Sequence, residues 1–152
     1  HEGEAHHRQE DESGLMRFTT SRRPSPGARR LARTLAHFFG SEYMTRGKSG
    51  LDEDVGEVWM VVVEERGSPA GLARRSQGEE KVLRFAAAIE GESKRMKMRR
   101  LSVVGTGKRA REVAEFFGLE ISPEGGAERE IRVGDRQIDF VDGEDLIARL
   151  KI

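Results

Sequence analysis

The residues of this sequence best suited to chemistry are basic side chains that could bind phosphate groups. Positions 13–41 hold six arginines and no acidic residue, and positions 93–111 hold eight bases and no acid. From position 112 onwards there are eleven acidic and only five basic residues. The zero net charge of the chain therefore conceals two basic blocks. Local charge decides what a surface attracts. The blocks therefore predict a polyanionic ligand such as nucleic acid, with pairing to the acidic regions as the alternative.

The first block surrounds the start of a predicted helix. Ser25 and Pro26 are favoured at the N-cap and at the first helical position, and Gly40 is suited to end the helix. Arg29 and Arg33 lie four positions apart, where like charges destabilise a helix, and cations in the first turn oppose its dipole. A bound phosphate would turn both unfavourable effects into favourable ones, because it accepts hydrogen bonds from the free N–H groups and the guanidinium groups and is attracted by the helix dipole.

Both blocks and a basic turn between them supply the predicted nucleic-acid contacts. The predicted residues are Arg22, Arg23, Arg29, Arg30, Arg33, Arg46, Lys48, Arg95, Lys97, Arg99, Arg100, Lys108 and Arg109. Ion pairs to the acids at 52–54 are the alternative for the first block, and a charged edge strand that blocks aggregation is the alternative for positions 94–100. The pairs Lys108–Glu112 and Arg111–Glu115 are spaced to neutralise each other, so the second helix is expected to contribute less.

Other chemistries have weaker support in the sequence. Gly105 and Gly107 follow a predicted strand in a G-x-G-x-x-A pattern, which permits nucleotide binding and makes it the third alternative. The sequence has no cysteine, no histidine pair at metal-ligand spacing and no G-x-S-x-G nucleophile motif. We therefore expect a protein that is not an enzyme and needs no cofactor or metal.

Apolar periodicity predicts the elements that would position these residues. Predicted strands lie at 15–20, 42–45, 57–63, 82–89, 101–104, 119–121, 130–133 and 137–141, and predicted helices at 25–40, 108–117 and 143–150. Residues 1–13 read as a disordered acidic tail. No apolar run reaches the length of a membrane helix and no signal peptide is recognisable, so a cytoplasmic protein is expected.

An internal repeat sets the expected architecture. Positions 30–40 align without gaps to positions 108–118, with six of eleven residues identical, and both copies end in Phe-Phe-Gly. Each copy follows a predicted strand and leads into another. The predicted fold is α/β: one domain over 14–152, with two similar halves at about 14–92 and 93–152 related by a pseudo-twofold duplication.

The sequence Thr20-Ser-Arg-Arg-Pro-Ser25, the helix after it, Glu42-Tyr43, Arg46-Gly47-Lys48 and Gly67-x-Pro69 resemble the opening of archaeal Brix-domain proteins. The resemblance implies a two-halved fold similar to the anticodon-binding domain of some aminoacyl-tRNA synthetases. It also implies ribosome biogenesis, with ribosomal RNA or its precursor as partner and ribosomal or assembly proteins as further partners. The main alternative is a protein-interaction scaffold in the same pathway, which docks through the acidic C-terminal part.

Overall fold

Two β-sheets and two helices make up the part of the chain that the structure describes. The structure is a computed structural model and describes residues 16–45, 57–91, 96 and 99–152. The strands are β1 (Met16–Thr20), β2 (Val58–Glu65), β3 (Ser68–Ser76), β4 (Glu79–Arg84), β5 (Ala87–Glu90), β6 (Leu101–Val104), β7 (Arg129–Val133), β8 (Gln137–Asp142) and β9 (Asp145–Lys151). The helices are α1 (Pro26–Phe38) and α2 (Gly107–Phe117). The first sheet has the order β1-β2-β3-β4 and the second has the order β5-β9-β8-β7-β6.

The two sheets are built in the same way. In each sheet, a helix connects two parallel strands: β1 with β2 in the first sheet and β6 with β7 in the second. The next two strands of each sheet, β3 and β4 or β8 and β9, are added as antiparallel hairpins. A parallel pair needs such a crossover, whereas antiparallel strands need only a tight turn. β5 departs from this plan, because it follows β4 in the chain but pairs with β9 in the second sheet.

The two repeat copies occupy equivalent positions. Phe18 in β1 forms an isolated parallel bridge with Tyr43, and Val103 in β6 forms one with Ile121. Gly118 ends α2 in the left-handed conformation with φ of 69°, and Gly40, just after α1, has φ of 68°. The predicted α/β class with two similar halves is confirmed, and duplication as its origin stays an interpretation.

Phenylalanines from both halves form the centre of one hydrophobic core. Phe39 stacks on Phe18 with 5.5 Å between ring centroids and on Phe117 with 5.2 Å. Phe140 of β8 packs edge-on against Phe38 at 5.3 Å and against Phe117 at 5.9 Å. The Phe-Phe pairs of the repeat therefore meet in the core, which joins both sheets and both helices.

The predicted closing helix at 143–150 is wrong, because these residues form the turn into β9 and most of that strand. Leu146, Ile147 and Leu150 have helical spacing, but Leu146 is exposed, and a register shift beside Phe140/Val141 lets both Ile147 and Leu150 be buried in the strand. Gly143, with φ of 63°, forms the tight turn between β8 and β9. The tight turn at Gly143, and not the apolar spacing after it, therefore decides the structure.

Three further differences concern strands. The apolar pattern does not predict β3, since the arginines of this strand interrupt it. The predicted strand at 82–89 is two strands, because the chain bends at Ala86 as it passes from β4 in the first sheet to β5 in the second. The predicted strands at 42–45 and 119–121 are reduced to the two isolated bridges. The predicted acidic tail at 1–13 lies outside the described residues.

Candidate nucleic-acid interface

The start of α1 is fixed by a carboxylate from β2. Ser25 caps the helix, since its Oγ accepts a hydrogen bond from the Ala28 amide at 3.1 Å. The Ser25 amide and hydroxyl both donate to Oε1 of Glu64, each at 2.7 Å. The Arg29 amide donates to the Ser25 carbonyl, and Pro26 has no N–H to donate. The expectation of free N–H groups for a phosphate at this helix start is therefore wrong for most of the first turn.

The cations around this helix start nevertheless remain available to a ligand. Arg22, Arg23 and Arg29 are exposed, and none of them forms an ion pair with another described residue. Arg23 has φ of 54°, a left-handed conformation that non-glycine residues adopt infrequently and that is frequent at functional sites. No acidic residue lies in the first turn of α1. Binding of an anion here rests on guanidinium groups rather than on backbone amides.

The other two arginines of α1 have partners that the sequence does not reveal. The Arg30 guanidinium lies 3.1 Å from Glu90 of β5, although its side chain remains 62% exposed. The Arg33 guanidinium lies over the Tyr43 ring, 5.7 Å from the ring centroid. Internal pairing thus accounts for Arg30, whereas stacking orients Arg33 without neutralising it. We call Arg22, Arg23, Arg29 and Arg33 the α1 basic surface.

The second basic block is only partly described. Arg46, Lys48, Arg95 and Lys97, and the acids at 52–54, lie outside the described residues. Arg99 forms an ion pair with Glu128, which agrees with the internal-pairing alternative. Arg100 is exposed and has no ion-pair partner within the described ranges.

The start of α2 differs from that of α1. Its N-cap, Thr106, forms no side-chain capping bond, and its first turn contains no acid. Lys108 and Arg109 are exposed and form no ion pair in the described part of the chain. The predicted neutralising pairs Lys108–Glu112 and Arg111–Glu115 are not formed there either. Because no described acid pairs with these bases, the reason for giving α2 less weight in binding is lost.

Gly105 has a structural reason to be glycine. A Cβ at this position would lie 3.0 Å from the Val133 carbonyl oxygen and 3.1 Å from Ala110 Cβ, and φ is 153°. The glycine therefore lets the loop before α2 lie against the end of β7. This packing explains Gly105 without a nucleotide, and the nucleotide-binding alternative stays a prediction.

Four acidic residues of the C-terminal half lie together at one end of the second sheet. Glu128, Asp142, Glu144 and Asp145 line a shallow hollow together with Arg99 and Gly143. Elsewhere on this sheet, Arg149 donates two hydrogen bonds to Asp139, and this pairing raises the pKa of Arg149. Within the described residues, no group of histidines, cysteines and acids could hold a metal ion.

No helix in the described ranges is long and apolar enough to cross a membrane. Arg22, Arg23 and Arg29 thus lie around the start of α1, and Lys108 and Arg109 lie at the start of α2, the equivalent helix of the second half.

Comparisons with known proteins identify the class to which this fold and sequence correspond. No family model matches the chain. Over 64 residues the chain is 41% identical to a "Probable Brix domain-containing ribosomal biogenesis protein" of Archaeoglobus fulgidus, covering 41% of this chain and 42% of that protein. Over 61 residues it is 43% identical to a protein of the same name from Methanococcoides burtonii, covering 38% and 39%. The matches thus span about two fifths of these relatives.

Solved structures extend the similarity to nearly the whole chain. Mil, an archaeal Imp4-like protein, superposes with a TM-score of 0.68 and 25% identity over 90% of this chain and 96% of its own. A probable ribosomal biogenesis protein from Aeropyrum pernix superposes with a TM-score of 0.61 and 22% identity over 91% and 94%, which supports the fold. The predicted resemblance to the Brix-domain family is confirmed.

Proposed function

We propose that this chain is a non-catalytic RNA-binding factor of ribosome biogenesis that contacts ribosomal RNA or its precursor through phosphates. The observation that carries the proposal is the α1 basic surface, in which exposed arginines surround a helix start and lack ion-pair partners among the described residues. Arginine suits this role because its planar group donates two parallel hydrogen bonds to one phosphate. The curated relatives, named as ribosomal biogenesis proteins, direct the proposal to ribosomal RNA.

The mode of binding that we propose is recognition of RNA shape. Phosphate contacts position a protein on RNA but do not read its sequence. The described aromatic residues are mostly engaged in the core, and Tyr43 lies beneath Arg33, so a platform for stacking bases has little support. The proposal includes a role in rRNA processing or assembly by binding alone. The proposal also includes a cytoplasmic location, because the relatives come from archaea, in which ribosomal RNA is made in the cytoplasm.

Filter binding of the protein to a pre-rRNA transcript across a salt series tests the proposal. Each neutralised phosphate contributes about 0.7–0.9 to the slope of log affinity against log salt, so several contacts predict a slope steeper than about −3. Absence of binding at low salt would contradict the proposal.

The second candidate function is a protein-interaction scaffold in ribosome assembly. The acidic end of the second sheet, with Glu128, Glu144 and Asp145 exposed, favours a basic ribosomal or assembly protein as partner. A pull-down from lysate before and after nuclease treatment separates the two functions. Partners lost with nuclease are held through RNA, whereas partners retained are held by protein contacts.

A further inference from the structure

β4 forms one edge of the first sheet, and no other described strand pairs with its outer side. Its counterpart in the second sheet is β9, the fourth strand of the equivalent order, and β5 pairs antiparallel with the outer side of β9. The fold therefore accepts an additional antiparallel strand at the position that is open beside β4. An exposed edge of this kind presents unpaired backbone groups to another strand.

The backbone groups of β4 that face outward can be identified from its hairpin. β3 and β4 are joined by the two-residue turn Gln77-Gly78, with φ of 52° and 78°, so the flanking pair Ser76–Glu79 exchanges hydrogen bonds. The alternation continues along the strand to Phe85, whose amide donates inward to the Ala70 carbonyl at 3.1 Å. The amide and carbonyl groups of positions 80, 82 and 84 therefore point away from β3.

The side chains at these three positions share one face of the sheet, because side chains alternate along a strand. Val82 is 41% exposed, the Glu80 side chain is 48% exposed, and Arg84 is exposed without an ion-pair partner among the described residues. An acid, an apolar residue and a base thus follow one another along the open edge.

This order is self-complementary when two copies of β4 run antiparallel. Only registers that place outward-facing positions opposite each other can form hydrogen bonds. With Val82 opposite Val82 of a second copy, Glu80 of each copy lies opposite Arg84 of the other. The neighbouring allowed registers place Val82 opposite a charged residue instead. Opposite charges and apolar pairs across strands are both stabilising, so the sequence selects the first register.

We propose that two copies of this chain associate through β4 in this register, joining their first sheets into one continuous eight-stranded sheet. Glu80 already accepts a hydrogen bond from Arg75 of its own chain at 2.7 Å. A carboxylate has two oxygens and can accept from both arginines, so the new pair does not require the existing one to break. The short contact predicts a weak, concentration-dependent dimer. The dimer is independent of RNA binding, because it uses no residue of the α1 basic surface.

Sedimentation equilibrium of the full chain up to about 1 mM, where weak complexes assemble, tests this proposal. The average mass of the wild type is expected to rise from 17.0 kDa towards twice that value. Glu80→Lys and Arg84→Glu should each raise the dimer dissociation constant at least tenfold, since each places like charges opposite each other. Mixed together, the two variants should form a heterodimer, because each copy then supplies the charge that the other lacks.

Two further variants test whether the association depends on the outward-facing side chains and backbone of β4. Lys81→Glu makes the same charge change as Arg84→Glu, but on the other face of β4. In the proposed register Lys81 pairs with the apolar Leu83 of the second copy, so this variant should leave the dimer intact. Val82→Pro removes an outward N–H that β3 does not use, so it should abolish the dimer while the thermal unfolding transition is retained.

A wild type that remains monomeric at the highest concentration would overturn the proposal. So would a dimer that persists in both Arg84→Glu and Val82→Pro, because it would use a different surface. Failure of the mixed charge variants to associate would also overturn it.

Discussion

Arg129 of β7 donates a 3.0 Å hydrogen bond to the carbonyl of Phe38 at the end of α1, although the two residues are 91 positions apart in the sequence. The guanidinium also lies over the Phe38 ring at 5.6 Å from its centroid and pairs with Asp142 at 3.4 Å. Its side chain is only 2% exposed. A cation at the C-terminus of a helix is favoured by the helix dipole, so Arg129 joins the helix of one half to the sheet of the other.

We predict that Arg129→Met lowers the free energy of unfolding by about 1–3 kcal/mol, because it leaves the buried Phe38 carbonyl without this donor. Urea denaturation measures the change. Arg136→Met, between β7 and β8, is the control: its side chain is exposed and forms no ion pair within the described residues, and a change within about 0.5 kcal/mol is expected. Equal effects of the two variants would show that Arg129 is not a specific link between the halves.

We predict that Phe39 and Phe117, the equivalent phenylalanines of the two repeat copies, are energetically coupled. Their rings stack at 5.2 Å, and a double-mutant cycle with leucine should give about 0.5–1.5 kcal/mol of coupling. Trp59 belongs to a separate cluster on the first sheet, so the cycle of Trp59→Leu with Phe117→Leu should be additive within about 0.5 kcal/mol. Additivity of Phe39 and Phe117 would contradict a shared core.

Ser25→Ala should destabilise the protein by about 1–2 kcal/mol, since it removes the helix cap and a hydrogen bond to Glu64. Thermal or urea unfolding measures the loss. Ser68→Ala, at an exposed hairpin position, should change stability little. If both variants were equally stable, the link between the start of α1 and β2 would contribute nothing.

Lys108→Glu with Arg109→Glu should weaken RNA binding, because these exposed bases lie at an uncapped helix start and lack ion-pair partners within the described residues. The same filter assay measures the affinity. An unchanged affinity would restrict binding to the first half and would support the expectation that α2 contributes less.

Much of the fold could be predicted from local signals. Ser25-Pro26 predicts the start of α1, Gly118 predicts the end of α2, and the apolar run at 57–63 predicts β2. The repeat of positions 30–40 at 108–118 predicts two similar units. These features depend on residues close together in the chain, where capping and periodicity act.

Several other features depend on pairing between residues that are distant in the sequence. The change of sheet between β4 and β5 leaves no local signal, because both segments are extended. Local sequence likewise gives no sign that Glu64 accepts a hydrogen bond from Ser25, 39 positions away. It gives none that Glu90 pairs with Arg30, 60 positions away. The basic residues of the candidate site could be predicted by charge alone, but which of them have partners could not.

Charge reversal tests most directly the claim that the α1 basic surface binds RNA phosphates. Arg29→Glu with Arg33→Glu should weaken binding to a pre-rRNA transcript and make the salt slope shallower by about 1.4–1.8, at 0.7–0.9 for each lost phosphate contact. Arg136→Glu with Lys151→Glu makes the same change in net charge at exposed positions of the second sheet and should have a much smaller effect. If the Arg29/Arg33 variant bound RNA with the affinity and salt slope of the wild type, the claim would be contradicted.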